Sequence, residues 1–151
     1  MSTERTYTSR RSNIVKALVS KLKTINGQGA FLTDVGEQVF PRLLFWDEVS
    51  EFPAIHINAG SETREYLTGG QKNRFLNVTI RCYVRDDDAQ DMLNKLMEDV
   101  ETVLEQNSDM TYKDQMNVEH STQQLTIVSI DTDEGVLEPL GVGEILAEIR
   151  Y

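Results

Sequence analysis

The chain has 151 residues, 39% hydrophobic and 26% charged, with a formal net charge of −10; this is enough for one hydrophobic core and short for two. No apolar run reaches the ~18–20 residues that span a bilayer, and the polar start MSTERTYTSRRS reads as lacking a secretory signal. One cysteine, Cys82, cannot form an internal disulfide and fits synthesis in a reducing cytoplasm.

In chain order, residues 1–10 are expected to be flexible and Ser12 to cap a first helix. Ile14, Ala17, Leu18, Leu22 and Ile25 follow at helical spacing, with Val15 and Val19 beside them, and Asn26-Gly27 supplies the stop. Val39, Phe40, Leu43, Leu44, Phe45 and Trp46 predict an extended segment near 39–46, with Trp46 a core or interface aromatic. After Pro53, Ile55 and Ile57 face one way and His56 and Asn58 the other. This is a half-buried strand, which Gly60 is expected to end. SETREYLTGGQKNRF reads as a hairpin turning at Gly69-Gly70; polar on both faces, it should project from the core rather than build it. Leu76, Val78, Ile80, Cys82 and Val84 form the longest alternation and predict the central strand.

A second helix starts in the aspartates Asp86, Asp87 and Asp88. Ala89, Leu93, Leu96, Val100, Val103 and Leu104 keep its stripe, flanked by Met92 and Met97. Residues 108–123 are polar and read as a long surface loop. QLTIVSID and GEILAEIRY then form an antiparallel hairpin across TDEGVLEPLGV. The expected fold is a single α+β domain over 1–151. It has a mostly antiparallel sheet of about four to five strands, two helices packed on one side, and the projecting polar hairpin.

Three adjacent carboxylates raise the question of a metal site. At a helix start they can instead accept free backbone N–H groups and meet the positive end of the dipole. Consecutive positions point apart and converge poorly on one ion, so Asp86–Asp88 read as the helix cap. His56 and His120 lack metal-ligand spacing, and one cysteine cannot complete a zinc set. Cys82 lies on an apolar strand face, as a core residue does. Gly27-Gln28-Gly29 and Gly69-Gly70 lack the strand–glycine–helix setting of a phosphate loop. Nothing here proposes an enzyme, a metal or a cofactor.

Charge is unevenly placed. Residues 1–85 hold twelve Lys/Arg against eight Asp/Glu, and residues 86–138 hold two against fifteen. A nucleic-acid binder shows a basic stripe that can release counterions, and none is visible. A weakly basic half followed by an acidic one fits head-to-tail self-association, or a surface that must not hold DNA. Asp91, Glu98, Asp99, Glu101 and Glu105 on the second helix read as an ordinary solvated face or as an acidic channel wall that repels phosphates.

Several stretches together resemble one family. An amphipathic helix comes first, then FPAIHINAGSE, a polar hairpin ending in RFLNVTIRCYV, the helix DDDAQDMLNKLMEDVETVLEQ, and the close IVSIDTDEGVLEPLGVGEILAEIRY. This order, over roughly residues 10–151, resembles the tail terminator (tail completion) proteins of long-tailed bacteriophages. The resemblance implies a virion subunit made in the host cytoplasm that assembles with itself into a hexameric ring. Such a ring caps the tail tube at its head-proximal end, stops its polymerisation and presents a surface to a head-completion (connector) protein. DNA passes through the lumen without sequence-specific binding, and no membrane is involved. In that setting Glu62, Arg64, Glu65, Lys72 and Arg74 of the hairpin are candidates for the ring interface. The acidic residues of the second helix are candidates for the lumen. The alternatives are a head-completion or tail-tube protein and, less favoured, a metal-dependent enzyme.

Overall fold

The computed structural model describes residues 8–151. Its elements are α1 (Arg10–Leu22), β1 (Val39–Phe40), a 3-10 turn (Trp46–Glu48), β2 (Ala54–Tyr66), β3 (Lys72–Arg85), α2 (Ala89–Gln106), β4 (Thr111–Lys113), β5 (Glu119–Ser121), β6 (Gln124–Thr132) and β7 (Leu140–Arg150). The longest alternation of the sequence, β3, is the middle strand of a five-stranded sheet ordered β1-β2-β3-β7-β6. Every neighbouring pair is antiparallel except β1 with β2. The β3–β7 ladder is unbroken from Phe75–Arg150 to Arg85–Leu140. By contrast, β2 shifts register between Ala59 and Glu62, and β6 between Ile127 and Ser129.

One face of the sheet carries the core. Leu76, Val78, Ile80 and Cys82 of β3 and Ile145, Ala147 and Ile149 of β7 are fully buried there. Both helices cover this face, α1 with Ile14, Leu18 and Leu22 and α2 with Leu93, Leu96, Val100 and Leu104. Each such side chain stabilises the fold by about 1.5–3 kcal/mol. The close seat of α2 depends on two glycines of β7. A Cβ at Gly141 would lie 2.8 Å from Val84 Cγ2 and 3.2 Å from the Ala89 carbonyl oxygen; one at Gly143 would lie 2.6 Å from Met97 Sδ. On the other face Tyr83 packs with Val49 and Ala54 and donates from its hydroxyl to the Leu44 carbonyl at 2.5 Å.

The structure changes several expectations. Ser9, not Ser12, caps α1: its Oγ accepts the Ser12 N–H at 3.2 Å. Of the stretch expected to be flexible, residues 1–7 lie outside the described residues, while Ser9 and Arg10 begin the helix. The helix ends at Lys23 rather than at Asn26, which bridges instead to Asp34. The segment 39–46 shortens to the two residues of β1, because Pro41 cannot donate to a ladder. Trp46 opens the 3-10 turn and is 48% exposed, which overturns the core half of its expected role and not the interface half. Gly60 does not end its strand, since β2 continues through the register shift to Tyr66. Residues 108–123 are not a loop. They form the β4–β5 hairpin, whose Met110 and Tyr112 are buried in the core. There Thr122 Oγ1 accepts from Met110 N–H at 2.8 Å and donates to the Ser108 carbonyl at 2.6 Å.

Candidate functional site

The hairpin of β2 and β3 holds the five candidates for subunit contact. Arg64 pairs with Arg74, Glu65 with Asn73 and Tyr66 with Lys72 across it, and Gly69 and Gly70, both at positive φ, make the turn. Glu65 and Lys72 are exposed, and Lys72 Nζ sits 5.9 Å from the Tyr66 ring centroid. Glu62 behaves differently. Its side chain is 8% exposed and accepts from Arg64 Nε at 2.8 Å and from the Tyr151 hydroxyl. Burial works to raise the Glu62 carboxyl, but these bonds and the Arg64 charge outweigh it and hold the group below the usual carboxylate range. Burial and the same bond push the Tyr151 phenol up. Arg74 lies over the Tyr151 ring, 5.4 Å from its centroid.

The bulge in β2 explains this grouping. It puts Glu62 opposite Leu76, on the helix-covered face, and brings Arg64 and Arg74 to the side of Tyr151. The start of α1 arrives at the same place, so Arg10 and Arg11 join Arg64, Arg74 and Tyr151 around a notch of about 220 Å³. Arg10 lies 3.8 Å from Asp114, while Arg11 donates to the Gly60 carbonyl. Among the described residues neither Arg11 nor Arg74 has a carboxylate partner. The sequence shows no basic stripe, and the fold builds a basic cluster from pieces remote in the chain. One signal for it was present: α1 opens with two arginines and no acid, against the preference of a helix N-terminus for negative charge.

The acidic candidates of α2 divide. Glu98 and Glu105 are exposed and Glu101 is half-buried. Asp91 is exposed and pairs with Lys95 at 3.0 Å. Asp99 does not belong to any acidic surface. It is 1% exposed and accepts from the Leu32 and Thr33 amides at 2.9 and 2.7 Å and from the Thr33 hydroxyl at 2.5 Å. Its helical position turns it toward the loop that follows α1, and three donors offset the cost of its burial.

At the start of α2, Asp88 Oδ1 accepts the Asp91 N–H at 3.4 Å and Asp86 Oδ1 accepts the Asp88 N–H at 3.0 Å, with Asp87 exposed beside them. Among the described residues no group of three His, Cys, Asp or Glu has metal-holding geometry. Cys82 is fully buried, and burial pushes its thiol up to about 12. His56 lies between Phe40 and Tyr83 with Nδ1 2.9 Å from the Arg42 carbonyl oxygen, and burial lowers its pKa. His120 Nε2 is 2.8 Å from Asp114, and this contact with the Val118 and Met116 amides holds the Asp114 carboxyl at about 2.

A family model described as Bacteriophage Tail Tube Terminator Protein matches residues 8–151. The tail tube terminator protein p142 of Escherichia phage T5 is 30% identical over 149 residues, covering 93% of this chain and 92% of the relative. The match runs through both helices, all seven strands and the hairpin. The chain therefore belongs to the bacteriophage tail tube terminator family.

Proposed function

We propose that this protein closes a growing tail tube as a hexameric ring at its head-proximal end. The ring stops further addition of tube subunits, presents the surface to which the filled head attaches, and lets DNA pass through its lumen. The family match over the whole described chain carries this reading. The fold supports it, because β6 on one side of the sheet, and on the other β2 beyond the two residues that β1 covers, leave open edges, and charge is divided along the chain, which suits heterologous contacts that close a ring. In this arrangement Arg64, Glu65, Lys72 and Arg74 of the hairpin meet a neighbouring subunit. Glu98, Glu101 and Glu105 give the lumen an acidic lining that keeps phosphates from sticking.

The test is tail assembly in an infected host lacking the gene. Overlong tails that fail to join normally filled heads support the reading; tails of normal length joined to heads overturn it. Electron microscopy of the purified protein separates it from a tube subunit, which would extend into tubes of indefinite length where a terminator stops at single rings.

A further inference from the structure

The two ends of the central sheet carry opposite charge. At the end where β3 begins lie Arg10, Arg11, Arg64 and Arg74 around Tyr151. At the end where β3 finishes, the β6–β7 loop packs against the start of α2. The Asp86 amide donates to the Pro139 carbonyl at 2.9 Å, and Gln90 Nε2 donates to Asp133 Oδ1 at 3.0 Å. Asp86, Asp87, Asp88, Asp131, Glu134 and Glu138 are all exposed there. From Arg74 to Arg85 is eleven steps along β3, which at about 3.3 Å each is roughly 36 Å, so the two ends cannot meet within one subunit.

The acidic end has a shaped tip. Asp133 organises the loop: Oδ2 accepts the Leu137 N–H at 3.1 Å and Oδ1 the Val142 N–H at 3.4 Å. Glu134 takes a positive φ of 56°, and Val136 is 82% exposed between Glu134 and Glu138. The loop is thus a fixed acidic knob with an apolar point. The basic end is a concave notch with an aromatic floor.

We infer that the notch receives the 134–138 knob of a second copy of this chain, Glu134 and Glu138 pairing with Arg11 and Arg74 and Val136 resting against the aliphatic stems of the arginines that cover Tyr151. This rests on the self-association in the proposed function and names the contact that makes it. Charge and shape are complementary, and both partners are present on every copy, so the contact is head-to-tail. A duplex is the poorer occupant. The notch is small and bordered by Glu62 and Asp114, which contact its Tyr151, Arg64 and Arg10, whereas backbone binding needs a continuous basic track.

Sedimentation velocity of the full chain at low salt, alone and with tail tubes, tests this. R11E/R74E and E134K/E138K should each weaken assembly by roughly tenfold or more, as reversed pairs do when contacts depend on charge. Mixing the two should restore it, because every contact then joins opposite charges. R10E/R11E serves as a second notch variant should loss of Arg74 impair folding, which a thermal melt reveals. Variants that assemble as wild type overturn the knob and notch while leaving the ring intact. Wild type that forms no assembly, free or on tubes, overturns the ring reading as well. A notch variant that assembles normally but loses affinity for duplex DNA makes the notch a phosphate surface and overturns the proposal.

Discussion

Asp99 on α2 accepts both the backbone N–H and the hydroxyl of Thr33, at 2.7 and 2.5 Å, with the whole carboxylate buried. A helix residue thereby fixes the loop that follows α1, and Val35, just beyond, is buried in the core. Removing the acceptor leaves buried donors without partners, which costs more than the bond itself. Asp99→Ala should lower unfolding free energy by about 3 kcal/mol and Asp99→Asn by about half of that, both measured by urea denaturation. Equal stability of Asp99→Ala and wild type would remove the clamp.

The two glycines of β7 should respond unequally to a methyl group. At Gly141 the added Cβ meets Val84, whose branched side chain is stiff, and the Ala89 backbone. At Gly143 it meets first the flexible thioether of Met97. Gly141→Ala should cost about 1–3 kcal/mol through overpacking, and Gly143→Ala less. Thermal melts of the two variants give the order.

Asp114 makes stability pH-dependent on the acid side. Its carboxyl is lowered from 3.8 to about 2 in the folded protein, so the ionised form binds better in the fold than in the unfolded chain. The contribution is fully present above about pH 4 and is lost as pH falls toward 2. Glu62, also lowered, acts in the same direction. The melting temperature of wild type should therefore drop through this window. Asp114→Asn should start lower and fall less steeply; parallel curves for the two proteins would sink the assignment.

Cys82 should be silent to thiol reagents in the native state, being fully buried with its thiol pushed up to about 12. Labelling should follow opening of the central strand and accelerate in urea as the unfolded fraction grows. Rapid stoichiometric labelling without denaturant would contradict the packing of β3.

The sequence made β3 and α2 legible because each is long enough for its period to show. Five alternating apolar positions and six positions on one helical stripe leave little ambiguity. The strands β4 and β5 are three residues each, too short for any period, and their polar composition imitates a loop. Gly60 misleads for a different reason. Glycine weakens a strand locally, but Gly60 falls within the register shift of β2, through which the strand continues to Tyr66. Asp99 was legible as charged but not as buried, since helical position alone does not tell which carboxylate has donors waiting. The arginine notch joins residues 10–11, 64, 74 and 151, and only the tertiary fold brings them together.

Bulges occur in the edge strand β6 and in β2, which β1 covers only at Ile55 and His56, while the interior β3–β7 ladder has none. A straight exposed edge invites indefinite strand addition, and a kinked one resists it. A molecule that halts the growth of a polymer must not itself become a seed for one. Both interruptions lie on strands whose free backbone could otherwise pair with a further strand, and they disfavour that route to unlimited growth.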